Sequence, residues 1–250
     1  MGFERIRVLR HLLGGLAGNP YGTMDSPTPS LQSQAELRAM INALQEHEMA
    51  DQVLDELSLA VFDTETTGFV PTEDCLLSIG AVCLDPGVRE TIPDFHTYVK
   101  LPKDRIIPDV VVQLTGITEQ TVADAPDLGY ALQIFLQFIG DRILVAHHAA
   151  HDIRFINANL RKSWGVELHH QVLDTGKIAM ALHRFKKYPT LDILLALYEI
   201  DTVHRHTALG DALMTALVIR RQLAILKEEG VQTLGQLWER LLVLEHELRP

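Results

Sequence analysis

Up to about residue 57 the apolar positions keep helical spacing, and then the period changes. Phe3–Leu13 mixes apolar and basic residues at helical spacing and predicts a short amphipathic helix. Residues 14–34 are rich in Gly, Pro, Ser and Thr and predict a linker. Ala35–Leu57 recovers the helical period, with Leu37, Ile41, Leu44, Val53 and Leu54 as its apolar positions. Beyond it, Leu57–Phe62, Leu76–Leu84 and Phe95–Val99 predict three strands, with Asp85-Pro86-Gly87 the clearest turn. Asp127–Ile139 then predicts a helix, Arg142–Ala146 a strand, Asp152–Leu160 a helix and Val172–Asp174 a strand. Helices follow at Lys177–Phe185, Leu191–Tyr198, Ala208–Leu226 and Leu234–Leu248. A three-strand meander followed by alternating helices and strands describes an α/β fold with a mixed five-stranded sheet flanked by helices. No internal repeat interrupts this order.

Composition narrows the class. The chain has 250 residues, of which 47% are hydrophobic and 22% charged, enough apolar material for a full core. Its longest apolar runs, such as Ile143–Ala146, are far too short to span a bilayer, so no membrane partner is expected. The opening Met-Gly-Phe-Glu-Arg has no signal-peptide pattern, and Cys75 and Cys83 cannot build a disulfide framework. A reducing, cytoplasmic location is the expectation. The net charge of −11 argues at first against a nucleic-acid partner. Between Ser58 and Gln222, however, 15 basic residues meet 20 acidic ones, a net of −5. Two divalent cations held by four of those carboxylates would bring that segment to about −1.

Three segments carry the chemistry. In Val61-Phe62-Asp63-Thr64-Glu65-Thr66-Thr67-Gly68, residues two apart on a strand share a face, so Asp63 and Glu65 can present two carboxylates to one spot. Such a pair repels itself unless a cation lies between, and hard oxygen ligands favour magnesium or manganese. In Leu144-Val145-Ala146-His147-His148-Ala149-Ala150-His151-Asp152, a strand ends near Ala146 and Asp152 opens a helix. In His204-Arg205-His206-Thr207-Ala208-Leu209-Gly210-Asp211, Thr207 suits an N-cap, with His206 in the preceding loop and Asp211 in the opening turns.

In order and spacing these segments resemble the DEDDh exonucleases of the DnaQ-like family, which includes the epsilon-type proofreading subunits of DNA polymerase III. The resemblance falls on Asp63, Glu65, Asp152, His206 and Asp211. It extends to Leu114-Thr115-Gly116-Ile117-Thr118, Leu173-Asp174-Thr175 and Leu191-Asp192-Ile193-Leu194, and covers about Ser58 to Gln222. The chain departs from the family at His148, where Asn is usual, and at His151, where an aromatic is common.

The resemblance implies a ribonuclease H-like sheet and a metal-dependent 3′–5′ exonuclease. Asp63, Glu65, Asp152 and Asp211 would hold two divalent cations, Mg²⁺ with Mn²⁺ as substitute, and His206 would be the general base. Thr66, Thr67, Leu114 and His147 are the expected contacts to the terminal nucleotide. The expected partners are 3′ ends of single-stranded nucleic acid, DNA in preference to RNA, in proofreading or repair. Trimming of RNA or oligonucleotides, and a catalytically silent polymerase-binding module, are the alternatives. His183-Arg184-Phe185-Lys186-Lys187-Tyr188 interleaves cations with aromatics, as single-strand surfaces do. An HD-type phosphohydrolase built on His151-Asp152 is disfavoured, because that dyad directly follows a strand and such domains are all-helical. Three parts are expected: a helical N-terminal extension (1–57), the exonuclease domain (58–225) and a C-terminal helix (226–250). The apolar stripes of the terminal helices must be buried either on the nuclease core or against another chain, and self-association or a polymerase contact is the expectation.

Overall fold

A computed structural model describes residues 50–87, 92–202 and 205–247. The helices expected at Phe3–Leu13 and across residues 35–49 lie outside these residues. In chain order the elements are β1 (Leu59–Thr66), β2 (Leu76–Leu84), β3 (Asp94–Tyr98), α1 (Asp109–Thr115), α2 (Glu119–Val122), α3 (Leu128–Ile139) and β4 (Ile143–Ala146). They continue with α4 (Ala150–Trp164), β5 (Val172–Asp174), α5 (Thr175–His183), α6 (Leu191–Leu197), α7 (Ala208–Glu228) and α8 (Leu234–Glu247).

Five strands form one mixed sheet in the order β3-β2-β1-β4-β5. The meander β1–β2–β3 is antiparallel, whereas β4 and β5 run parallel to β1. Parallel neighbours require a crossover, and α4 supplies it between β4 and β5. The central strand β1 alternates between two cores. Ala60 and Phe62 enter a cluster with Phe135 and Leu136 of α3 and Ile156 and Leu160 of α4. Leu59 and Val61 enter a second cluster with Ala216 and Ile219 of α7 and Leu234 and Leu237 of α8. The same alternation carried past Phe62 sends Asp63 and Glu65 to the α7 side and Thr64 to the α4 side.

The five strands and the later helices lie where the apolar periods predict them, with shifts that have physical causes. β1 runs to Thr66, four residues past the expected end, because β2 continues to pair with it down to Thr66↔Leu76, across a register shift after Glu65. The carboxylates therefore stand within the strand. Two short helices escaped the periodicity. α1 carries the β-branched run Val110-Val111-Val112 and buries none of its residues; it ends at Gly116, whose positive φ of 72° closes the last turn. α2 is a single turn closed by a capping box between Thr118 and Thr121. The helix expected across Ala35–Leu57 does not extend into its last residues. Val53 bridges to Thr233, and Leu54–Glu56 make one 3-10 turn that buries Leu54. Leu54 and Leu57 thereby join the α7–α8 cluster. Asp152 is the third residue of α4, not its first.

One glycine lets α7 reach the sheet. Gly80 is the cross-strand partner of Asp63, and a Cβ there would lie 2.2 Å from the backbone of Ala208 and Leu209. The first turn of α7, which carries Asp211, thus rests directly on β2. Gly80→Ala should lower stability by roughly 1–3 kcal/mol, the usual range for overpacking, seen as a lower midpoint in denaturant. An unchanged midpoint would mean that α7 is not seated by this contact.

Candidate active site

The carboxylates converge at one end of β1. Oxygens of Asp63, Glu65 and Asp211 lie within 4.8 Å of one another. Asp63 and Glu65 reach this point as alternate residues of the strand, and Asp211 descends from the first turn of α7. That helix is capped by Thr207, whose hydroxyl accepts from the Gly210 N–H at 3.1 Å.

Asp152 stands beside this trio, held from the opposite side of the strand. Its Oδ1 accepts from the Thr64 N–H at 3.0 Å and the Thr64 hydroxyl at 2.6 Å. Thr64, the residue between the two strand carboxylates, therefore orients the one that comes from α4. The head of α4 is fixed in turn by Asp174, at the end of β5. Its Oδ2 accepts from the Ala149 N–H at 3.0 Å, and its Oδ1 from the Gly176 and Lys177 N–H groups. The Tyr188 hydroxyl donates to Asp174 and accepts from the His148 N–H. Gly176 leaves the room Tyr188 fills, since a Cβ there would overlap the phenol ring.

Electrostatics mark the cluster as short of positive charge. Burial, followed by the charges of Asp152, Glu65 and Asp211, holds the Asp63 carboxyl well above its ordinary range. Burial and the charges of Asp211 and Asp152 lift Glu65 to about 7. Burial lifts Asp152 to about 7 despite the opposing Thr64 hydrogen bonds. Arg205 opposes this repulsion at Asp63 and Glu65. It pairs with Asp211 and, through Nε at 2.8 Å, with Asp192 of α6. A set of carboxylate oxygens so close together, with protonation favoured over mutual repulsion, fits one or more hard divalent cations.

The remaining expected residues fall around this centre. His206 precedes α7 with φ of 62°; its N–H meets Asp211 Oδ1 at 3.3 Å, and its side chain is exposed. The Thr66 hydroxyl donates to the Gly68 carbonyl and lies 3.5 Å from His151 Nε2. Thr67 is engaged with its own turn: its N–H donates to the Cys75 carbonyl, and its hydroxyl accepts from the Cys75 N–H. His147 Nδ1 is 3.0 Å from the Thr175 hydroxyl, and burial lowers its pKa. Leu114 is exposed on α1, whose cluster packs on Leu77, next to Ser78, the strand partner of Glu65. In the segment His183–Tyr188 the two larger aromatics are half-buried and engaged with the fold. Tyr188 is tied to Asp174 and the half-buried Phe185 packs against the α6–α7 core, which leaves His183, Arg184, Lys186 and Lys187 exposed.

The raised carboxyls dictate a pH dependence. A carboxyl whose folded pKa lies above its unfolded value contributes stability at low pH that is lost as pH rises through the folded pKa. For Glu65 the window opens near the ordinary glutamate value and closes at about 7. In EDTA, Glu65→Gln should match wild type in thermal stability near pH 4 and exceed it increasingly up to about pH 7. A gap that stays constant across this range would show that Glu65 is not strained by its neighbours.

Residues 60–219 match the RNase_T exonuclease family. Among relatives, the DNA polymerase III PolC-type protein of Bacillus subtilis (strain 168) is 32% identical over 193 residues, covering 77% of this chain and 13% of that protein. A DNA polymerase III subunit epsilon-like protein of Rhodobacter capsulatus is 36% identical over 195 residues, covering 76% of this chain and 27% of its own length. The chain therefore spans only a small part of these relatives. The nuclease domain of 3′hExo, a DEDDh family member bound to rAMP, superposes with a TM-score of 0.59 at 19% identity, over 70% of this chain and 94% of that one. Exonuclease X in complex with 5′-overhanging duplex DNA gives a TM-score of 0.54 at 24% identity, over 73% and 99%. These two likenesses concern the fold, and they agree with the mixed sheet and flanking helices seen here. With Asp63, Glu65 and Asp211 gathered at one end of that sheet and residues 60–219 matched by the family model, the chain belongs to the RNase_T exonuclease family.

Proposed function

We propose that the protein is a 3′–5′ exonuclease that hydrolyses the terminal phosphodiester of single-stranded nucleic acid, DNA in preference to RNA, and releases nucleoside 5′-monophosphates. The observation that carries this reading is the approach of Asp63, Glu65 and Asp211 oxygens to within 4.8 Å, with Asp152 directed at the same strand end by Thr64. In this reading the four carboxylates hold two divalent cations, Mg²⁺ with Mn²⁺ as substitute, which lower the charge barrier at the phosphate and polarise water. Thr64 keeps Asp152 in register with the strand carboxylates. His206 takes the proton from the attacking water as its oxygen bonds to phosphorus and the 3′ oxygen leaves. Its backbone is anchored to Asp211, so side-chain rotation alone aims the imidazole. Thr66, Thr67, Leu114 and His147 receive the terminal nucleotide; for Thr67, whose amide is engaged with Cys75, the contact is one of shape. The preference for DNA draws on the relatives named as DNA polymerase III components, and proofreading or repair is the corresponding role.

The division of the chain into an extension (1–57), a nuclease domain (58–225) and a C-terminal helix (226–250) is proposed on the same basis. The nuclease residues all fall in the middle part; Leu234, Leu237, Trp238 and Leu241 of α8 pack on its core, so self-association or a polymerase contact is assigned to the residues before 50 and to the exposed Leu242 and Val243. Among the described residues no helix is long and apolar enough to cross a membrane, and the free thiols of Cys75 and Cys83 accord with a reducing cytoplasm. Because Leu54 and Leu57 are buried, a truncation that tests the division should begin after residue 49.

Asp63→Ala, Glu65→Ala, Asp152→Ala and Asp211→Ala should each lower hydrolysis of a 5′-labelled single strand by several orders of magnitude, and EDTA should silence the wild type until Mg²⁺ or Mn²⁺ is restored. The products should shorten from the 3′ end, with matched DNA and RNA strands run side by side. Near-normal activity in two of these variants, or cutting of circular strands at a comparable rate, would overturn the assignment. His206→Ala should lower turnover by roughly 10²–10⁴-fold and flatten the acidic limb of the rate–pH profile. An unchanged limb would place proton transfer on another group.

A further inference from the structure

Arg205 puts a positive charge at the point where the proposed site needs a cation. Its Nη1 is bonded to Asp211 Oδ1, one of the trio's carboxylates, and its Nε lies 2.8 Å from Asp192 Oδ1. The Arg205 and Asp211 side chains are only 17% and 12% exposed, whereas Asp192 is 62% exposed. The Arg205–Asp211 pair is therefore poorly screened by water, and the Arg205–Asp192 pair is well screened. Asp211 Oδ1 also accepts the His206 N–H, so this oxygen already serves two donors. A small divalent ion demands close, directed oxygen ligands, and a guanidinium on the same carboxylate competes with it in both space and charge.

Resting on the two-cation reading above, we propose that Arg205 is the resident counterion of the carboxylate cluster: it competes with divalent cations for Asp211, and Asp192 is the positioning residue that retains the guanidinium once it is displaced. The bridging geometry makes this exchange a short movement. The guanidinium leaves one carboxylate and keeps the other, so it is never left unpaired next to the half-buried cluster. Arg205 also adjoins His206. The same movement shifts the charge neighbouring the proposed base, so cation loading and placement of the imidazole are linked through one loop.

The test is Mn²⁺ binding, followed by loss of the free-ion paramagnetic resonance signal, in the full chain and without nucleic acid. Arg205→Ala should tighten Mn²⁺ about tenfold, a small part of what a poorly screened charge at contact distance can exert. Arg205→Gln should do the same and guards against a packing defect in the alanine variant. Asp192→Asn alone should weaken Mn²⁺ several-fold, because the displaced guanidinium then has no partner. In the Arg205→Ala background, Asp192→Asn should have no effect. Unchanged or weaker binding in both Arg205 variants would overturn the proposal, as would an Asp192→Asn effect of equal size in both backgrounds, which would mark simple through-space attraction. Absence of saturable Mn²⁺ binding in wild type and variants alike would remove the two-cation reading itself, a result distinct from either of these.

Discussion

Like charges crowded at the end of a buried strand are the constraint to which the rest of the structure responds. Asp63, Glu65 and Asp211 approach from two elements, and Asp152 from a third, in surroundings that water screens poorly. Left alone, such a group would take up protons or drive its elements apart. The fold supplies three local answers. Thr64 gives Asp152 two hydrogen bonds, Arg205 gives Asp211 a charge partner, and Gly80 lets α7 settle close enough for Asp211 to reach the strand. None of the three neutralises the whole cluster. The residual strain is what a divalent cation, in the proposed reading, would relieve.

The supporting layer is as specific as the carboxylates. Asp174 caps α5, holds the amide at the head of α4 and binds Tyr188, which in turn holds the His148 amide. Through these contacts the position of Asp152 depends on β5, on α5 and on the loop before α6. The positive φ of 61° at His148 belongs to the same turn, and it persists because both neighbouring amides are bound. The acidic residues come from separate segments of the chain, and these hydrogen bonds fix where Asp152 meets the others.

Much of this was legible in the sequence. Alternation on β1 placed Asp63 and Glu65 on one face, and the Thr207 cap placed Asp211 at the start of a helix; both are local rules that need no tertiary information. The segments that misled were those where tertiary contact overrides local pattern. Val53 and Leu54 continue a helical period, yet they serve a bridge and a single turn packed on the α7–α8 connection. The β-branched valine run of α1 carries no helical period and folds as a short helix all the same. Thr64 and Arg205 lay inside the motifs already singled out, but their partners stand 88 and 6 residues away. Which partner a threonine or arginine selects is decided by packing, which periodicity does not encode. The aromatic–basic run at His183–Tyr188 shows the converse, since its composition suggested a surface and its tyrosine instead became part of the scaffold.

The central claim is that the carboxylate cluster is strained alone and relieved by divalent cations. Thermal unfolding at pH 8, with and without Mn²⁺, in wild type and Asp63→Asn, addresses it directly. At an ion concentration of about 100 Kd, binding to the folded state is worth about 2.7 kcal/mol, or roughly 5–10 °C in a chain of this size. The account predicts that Mn²⁺ raises the wild-type Tm by that order. It also predicts that Asp63→Asn melts higher than wild type in EDTA and gains little from the ion. A wild-type Tm indifferent to Mn²⁺, together with an Asp63→Asn protein less stable than wild type in EDTA, would contradict it.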